Sequence, residues 1–258
     1  MEPSERGVAV VGDERAAALR DALAGLPYRS VERAAADAVV AVGDDALRDA
    51  LAGAPDAPVV PVGSRRLAVD ADDAERRLRA LLDAALSGEG DPLPDRRERR
   101  GGVRRVAHPI LAVDSGDGAP LRAAFDAALV TVEPARISEF AVDLAGGADE
   151  AFRADGVVVA TPLGSDGYAN AAGGPVVEPG GGLSVAPIAP FRTRTDAWVA
   201  AERLSVSVER ETESVALVVD GEERAVVAPH RSVAIEAVDS VALVTLAGAS
   251  RARRSERL

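Results

Sequence analysis

Along the first part of the chain, short valine-rich runs bounded by glycine alternate with stretches whose apolar residues recur at helical spacing. The run from Gly7 to Gly12 (GVAVVG) is apolar without alternation, which predicts a strand covered on both faces. Asp13 then opens a helix with Ala16, Leu19, Leu23 and Leu26 along one side. Asp37 to Gly43 predicts a second strand, Asp44 to Leu51 a second helix and Pro58 to Gly63 a third strand. Ala74, Leu78, Leu81, Leu82 and Ala85 line one face of a third helix that ends near Gly88. Strands alternating with helices predict an α/β domain with a parallel, Rossmann-like sheet.

From Val103 the period changes. Phe140, Val142 and Leu144 alternate with Glu139, Ala141 and Asp143, and Leu204, Val206 and Val208 alternate with Ser205 and Ser207. Val215 to Asp220, Ala225 to Ala228 and Val233 to Ala237 continue the rhythm, with Asp220-Gly221 as a hairpin turn. Many short strands with turn signals predict an all-β sandwich; Leu121 to Ala128 and Gly167 to Gly173 are the helix-like exceptions. Between the two patterns, Ser87 to Gly102 mixes glycine, proline and charge as a boundary does. Arg96, Arg97, Arg99, Arg100, Arg104 and Arg105 make it locally basic, as a solvated linker or the rim of an anionic-ligand site would be. The expected division is 1–95 for the α/β domain, 96–238 for the sandwich and 239–258 for a last strand and a basic, loosely held tail, RARRSERL.

Composition narrows the chemistry. The 258 residues, 47% of them hydrophobic, can fill one large core or two modest ones. With no cysteine, disulfides, thiolate metal sites and a cysteine nucleophile are excluded. Two histidines, His108 and His230, argue against a histidine-rich metal site, and both read as surface turn residues. The net charge of −12 argues weakly against a nucleic-acid partner. All 30 basic residues are arginine, and the acidic, lysine-free composition resembles that of salt-loving archaea, although a codon bias produces the same absence. In molar salt the Debye length is about 3 Å, so an acidic surface repels itself little. No apolar run approaches the ~18 residues of a membrane span, and MEPSERGVAV lacks a signal design, so a cytoplasmic protein without a membrane partner is expected.

The stretch from Asp155 to Pro175 (DGVVVATPLGSDGYANAAGGP) concentrates the candidate chemistry. A buried strand, a small-residue turn and a short helix closed by Gly-Gly-Pro place backbone N–H groups and hydroxyls at one point, suited to a phosphate or ribose. In parallel sheets ligands bind beyond the carboxyl ends of the strands, where Gly43-Asp44-Asp45 falls. Taken alone, Asp44 reads first as a helix N-cap, and the downstream block brings the two readings level. Neither a P-loop nor GxGxxG is present.

The Asp155–Pro175 block resembles the signature of the NAD kinase family, DGxxxxTPxGSTAY…GGP. The turn in AVVAVGDDAL resembles that family's Gly-Gly-Asp-Gly turn, with Asp44 on its aspartate. An α/β half followed by a β-sandwich half matches the family's order, with the ligand between the two and the final strand, Val241 to Leu246, returning to the first domain. The resemblance implies a phosphotransferase that converts NAD to NADP at the adenosine 2′-hydroxyl. Asp44 would be the general base, and Gly43 and Asp45 would face a donor, ATP or polyphosphate, held with Mg²⁺. Asp126, Asp155, Thr161, Gly164, Ser165, Asp166 and Tyr168 would bind the dinucleotide. No side-chain metal site is implied, and a homo-oligomer, dimer or tetramer, is.

Several positions depart from the family pattern. Val42, Asp45 and Ala46 replace the residues around the motif aspartate, and Gly63-Ser64-Arg65-Arg66-Leu67-Ala68 lacks the glycines of the Asn-Thr-Gly-x-Leu-Gly loop. A second carboxylate at Asp45 would repel a phosphate by about 4 kcal/mol at ~4 Å and an effective dielectric near 20, unless Mg²⁺ intervenes. The Asn-Glu pair falls on Phe125-Asp126, Asp166-Gly167 replaces Thr-Ala, and Phe191 stands where a histidine is usual. The alternatives are a non-catalytic NAD(P)-binding paralogue, a structural or assembly protein, and a lipid or sugar kinase with a similar glycine turn.

Overall fold

Apolar runs and helical stripes fold as the patterning predicts. The computed structural model describes residues 6–53, 56–87, 102–133, 137–145, 150–191, 196–210 and 214–247. The basic stretch 96–100 and the tail RARRSERL lie outside them. The chain divides into two compact units, Met1–His108 with Val241–Leu258, and Pro109–Ser240.

The first unit is built on a parallel sheet ordered β2 (Arg29–Ser30), β1 (Gly7–Gly12), β3 (Ala38–Val42), β4 (Val59–Val62) and the end of β16 (Ser232–Leu246). β1 pairs with β3 from Val8↔Ala38 to Gly12↔Val42, and β16 joins β4 through Leu243↔Val59. Every residue of β3 and β4 is buried, as expected of strands covered on both faces. Helix α1 (Ala16–Ala24) buries Ala16, Leu19 and Leu23, and α3 (Ala71–Leu86) buries Ala74, Leu78, Leu81, Leu82 and Ala85. Asp70 caps α3, its carboxylate accepting the Asp72 N–H at 3.0 Å. Helix α2 (Asp44–Ala52) differs from the N-cap reading of Asp44. Its cap is Gly43, at φ 89°, where an L side chain is disfavoured, and Asp44 is the first helical residue.

The second unit is a sandwich of antiparallel strands. One sheet runs β12 (Trp198–Ala200), β11 (Leu183–Ile188), β10 (Gly156–Ala160), β7 (Asp126–Thr131), β14 (Val215–Val219), β15 (Glu222–Val227). The other contains β8 (Ser138–Asp143) between β9 (Glu150–Ala154) and β13 (Arg203–Arg210), with the first part of β16 beyond β13. β5 (Val103–Asp114) pairs with β6 (Leu121–Ala123) through Leu111↔Ala123. The two sheets share one core containing Leu129, Phe140, Val157, Leu204 and Leu217. β8 and β13 alternate buried and partly buried residues, whereas β10 is buried throughout because a short helix, α4 (Tyr168–Ala171), covers its outer face.

Two readings are corrected. The helix-like spacing at Leu121 to Ala128 belongs to β6 and β7, where alanines pack between strands. His108 is fully buried within β5, and only His230 occupies an exposed turn, with φ 59°. Among the described residues no helix is long and apolar enough to cross a membrane.

Candidate functional site

Buried strand β10 delivers the chain into a turn, Thr161-Pro162-Leu163-Gly164-Ser165, whose residues are all buried. The Thr161 N–H donates to the Phe125 carbonyl at 2.8 Å, and its hydroxyl lies 3.0 Å from the Ala124 and Phe125 carbonyl oxygens. The N–H groups of Gly164 and Ser165 return to the Thr161 carbonyl at 3.0 and 2.8 Å. The Ser165 hydroxyl donates to the Pro162 carbonyl and accepts the Val177 N–H, both at 3.0 Å. A Cβ at Gly164 would lie 2.2 Å from the Phe125 carbonyl oxygen, so the turn fits only with glycine there. The hydroxyls of Thr161 and Ser165 are thus committed to the protein itself.

Helix α4 follows and ends in a Schellman motif: Gly173 N–H donates to Asn170 carbonyl and Gly174 N–H to Ala169 carbonyl. Gly173 sits at φ 95°. The helix lies close to the sheet because the residues beneath it are small: Ala128, Ala160 and Ala186 pack with Ala169 and Val158. Tyr168, at the start of α4, is 47% exposed. Burial of part of its ring raises the phenol above its ordinary range, and the negative charges of Asp126 and Asp155 add to the effect. The two carboxylates flank β10 from opposite ends, Asp126 paired with Ala160 beside the turn and Asp155 just before Gly156. Both aspartates are half-buried, and Asp166 is exposed two residues before Tyr168.

Sequence reasoning missed one residue here. Asp220 was legible only as a hairpin turn, and its φ of 49° next to Gly221 at 83° fits that role. Its carboxylate, however, accepts the N–H groups of Ala124, Phe125 and Asp126 at 2.8, 2.7 and 3.0 Å. Asp220 from one side and Thr161 from the other therefore fix the segment that carries Asp126. A partner 94 residues away left no local signal. Phe125, at the family's amide position, is turned into the core and 2% exposed.

In the first unit, Gly43-Asp44-Asp45 follows β3 at the carboxyl edge of the parallel sheet. Asp44 is exposed, and its carboxylate lies 3.1 Å from Arg65 Nε in the loop after β4. Arg15, in the turn after β1, donates to Asp13 at 2.7 Å. Those hydrogen bonds hold the Asp13 carboxyl below its usual range, and the charges of Asp13 and Asp44 both favour protonated Arg15. Asp45 pairs with Arg48 at 3.4 Å. Among the described residues no group of three or more His, Asp or Glu side chains is arranged to hold a metal. A cavity of about 230 Å³ in the second unit, lined by Arg153, Phe191 and Arg210 among others, contains none of the site residues named from the sequence.

The chain thus carries an α/β unit with acidic turns at the carboxyl ends of its strands and a β-sandwich unit with a closed turn, a tyrosine and two carboxylates. Residues 126–245 match the ATP-NAD kinase C-terminal domain. The chain is 38% identical over 99 residues to an NAD kinase of Methanospirillum hungatei, covering 38% of this chain and 37% of that protein. It is 34% identical over 137 residues to one of Methanoculleus marisnigri, covering 52% and 51%. These matches span about half or less of the relatives' own length. The fold is shared with an NAD kinase from Archaeoglobus fulgidus solved in complex with ATP, at TM-score 0.68 and 23% identity over 98% of both chains. Yeast NADH kinase, solved with NADH, gives TM-score 0.73 and 14% identity over 99% of this chain and 87% of that one. The likeness to the NAD kinase family is thus carried by residues 126–245 and by the shared fold.

Proposed function

We propose that this protein is an NAD kinase-type phosphotransferase, moving a phosphoryl group from ATP or polyphosphate to the adenosine 2′-hydroxyl of NAD. The observation that carries the reading is the closed Thr161–Ser165 turn with Asp126 beside it and Tyr168 at the start of α4, within the segment matched to the NAD kinase C-terminal domain. Asp126, Asp155, Asp166 and Tyr168 offer acceptors and an aromatic ring to a ribose and base. Thr161, Gly164 and Ser165 shape the backbone that presents them.

In the reaction the 2′-oxygen attacks the terminal phosphorus, the bond to the leaving phosphate oxygen breaks, and the 2′-hydroxyl proton passes to the Asp44 carboxylate. Phosphoryl transfer asks the protein mainly for positioning and charge neutralisation. Gly43 and Asp45 border the donor. Mg²⁺ is commonly held by one or two carboxylates together with substrate phosphates. Asp45, exposed beside the donor, would offer one such carboxylate, the donor's phosphates supplying the rest.

The acidic, arginine-only composition supports a salt-rich cytoplasm as the working environment, and the family reading supports a dimer or tetramer. The test is to incubate the full chain with NAD, Mg²⁺ and either ATP or polyphosphate in molar salt. NADP is the expected product. Its absence from protein with a cooperative melting transition would refute the reading.

A further inference from the structure

Beyond β1, β3 and β4 the chain turns through Gly12, Gly43 and Gly63, with φ of 138°, 89° and 153°. A Cβ at Gly12 would lie 2.3 Å from the Val42 carbonyl oxygen, and one at Gly63 would lie 3.7 Å from the Gly43 nitrogen. The three turns are thus neighbours with bare backbone between them. Two guanidinium groups stand beside that backbone. A Cβ at Gly43 would be 3.6 Å from Arg15 Nη2 and from Asp13 Oδ2, while Arg65 meets Asp44 on the next residue at 3.1 Å.

The Arg15–Asp13 pair is exposed and such pairs contribute little to stability, so fold stability does not explain why it stands at this edge. The chemistry of the two guanidinium groups suits a more highly charged anion. Guanidinium matches phosphate oxygens in a two-pronged geometry, and a polyphosphate chain carries more charge than a single carboxylate. The Arg15 side chain is 62% exposed and can change partners without unpacking a core, whereas Arg65, in the loop after β4, keeps its Nε buried beside Asp44 and 21% of its side chain exposed.

We propose that Arg15 and Arg65 are the two arms of a clamp for the polyphosphate chain of the donor, each exchanging its aspartate for phosphoryl oxygens as the donor enters. The proposal rests on the phosphotransferase reading above. It gives to side chains a task that glycine-rich turns perform through backbone N–H groups. Departure of Arg65 also leaves the Asp44 carboxylate to take up the 2′-hydroxyl proton, so that donor binding precedes proton transfer.

The test uses the full chain and inorganic tripolyphosphate, titrated calorimetrically without NAD, so that it reads binding apart from turnover. Arg15→Ala and Arg65→Ala should each weaken binding about tenfold and the double variant on the order of a hundredfold. Arg65→Lys, which keeps the charge but loses the fork, should fall between. Arg76→Ala, an exposed pair on α3, should leave binding unchanged. With active protein, the KM for ATP should rise in the same order while the KM for NAD stays constant. If Arg65→Ala lowers the melting temperature, Arg15→Ala and Arg65→Lys carry the test. Equal tripolyphosphate affinity in wild type and these variants would overturn the clamp. Arginine-dependent tripolyphosphate binding by a wild-type protein that makes no NADP would uphold the clamp and refute the phosphotransferase reading instead.

Discussion

The turn from Thr161 to Ser165 is buried and closed on itself, whereas the turn from Gly43 to Asp45 is open to solvent and bordered by ion pairs. In the first, hydroxyls, N–H groups and glycines serve contacts inside the protein, down to an approach at Gly164 that leaves no room for a methyl group. In the second, Asp44 and Asp45 are exposed and meet arginines from elsewhere in the unit or helix. A motif whose residues are packed into a fold cannot change without breaking it. A motif whose residues face solvent can change its chemistry at little structural expense. The uneven match to the family signature follows that division: the buried block keeps its small residues and the exposed turn does not.

The difference can be broken first at Gly164. Gly164→Ala forces a Cβ against the Phe125 carbonyl and should cost about 3 kcal/mol or more, seen as a lowered denaturation midpoint or as insoluble protein. Asp220→Ala removes the acceptor of three backbone N–H groups and should cost about 2–3 kcal/mol, with Asp220→Asn intermediate because an amide still accepts but carries no charge. Ser165→Ala strands the Val177 N–H and should cost about 1–2 kcal/mol in the same denaturation experiment.

The finest test is a titration. Burial and then the charges of Asp126 and Asp155 raise the Tyr168 phenol, so its neutral form is favoured by folding. Whatever stability this linkage contributes is fully present below the ordinary tyrosine range and is lost as pH rises through the folded value. Phenolate absorbance should show Tyr168 titrating above a model tyrosine, and Asp126→Asn should move it downward. The other tyrosine, Tyr28, is pushed up to about 12 by burial and by Asp83, which separates the two curves only if Tyr168 titrates below it.

Much of the architecture was legible because it is periodic. Leu19, Leu23, Leu78 and Leu82 announced helix faces, and Phe140, Val142, Val206 and Val208 announced the sandwich interior. Short segments whose burial depends on distant cover were not. Leu121 to Ala128 looked helical because alanine is indifferent to period, and the strand pairing that decides the matter comes from β14 and β10. His108 looked like a surface turn residue before Pro109, although it is buried within β5. Asp155, Tyr168 and Asp44 could be named as candidates from motif order. The roles of Asp220 and Arg65 could not, since each acts on a residue far along the chain.

Asp44→Asn tests the central claim most directly: that the exposed turn carries chemistry while the buried turn carries structure. Removing one exposed carboxylate should change stability by less than about 1 kcal/mol. Loss of the proton acceptor should lower the rate of NADP formation by at least about a hundredfold. An unchanged melting temperature with that loss of rate is the expected result. NADP formation at the wild-type rate, or a fall in rate matched by a fall in melting temperature, would contradict the account.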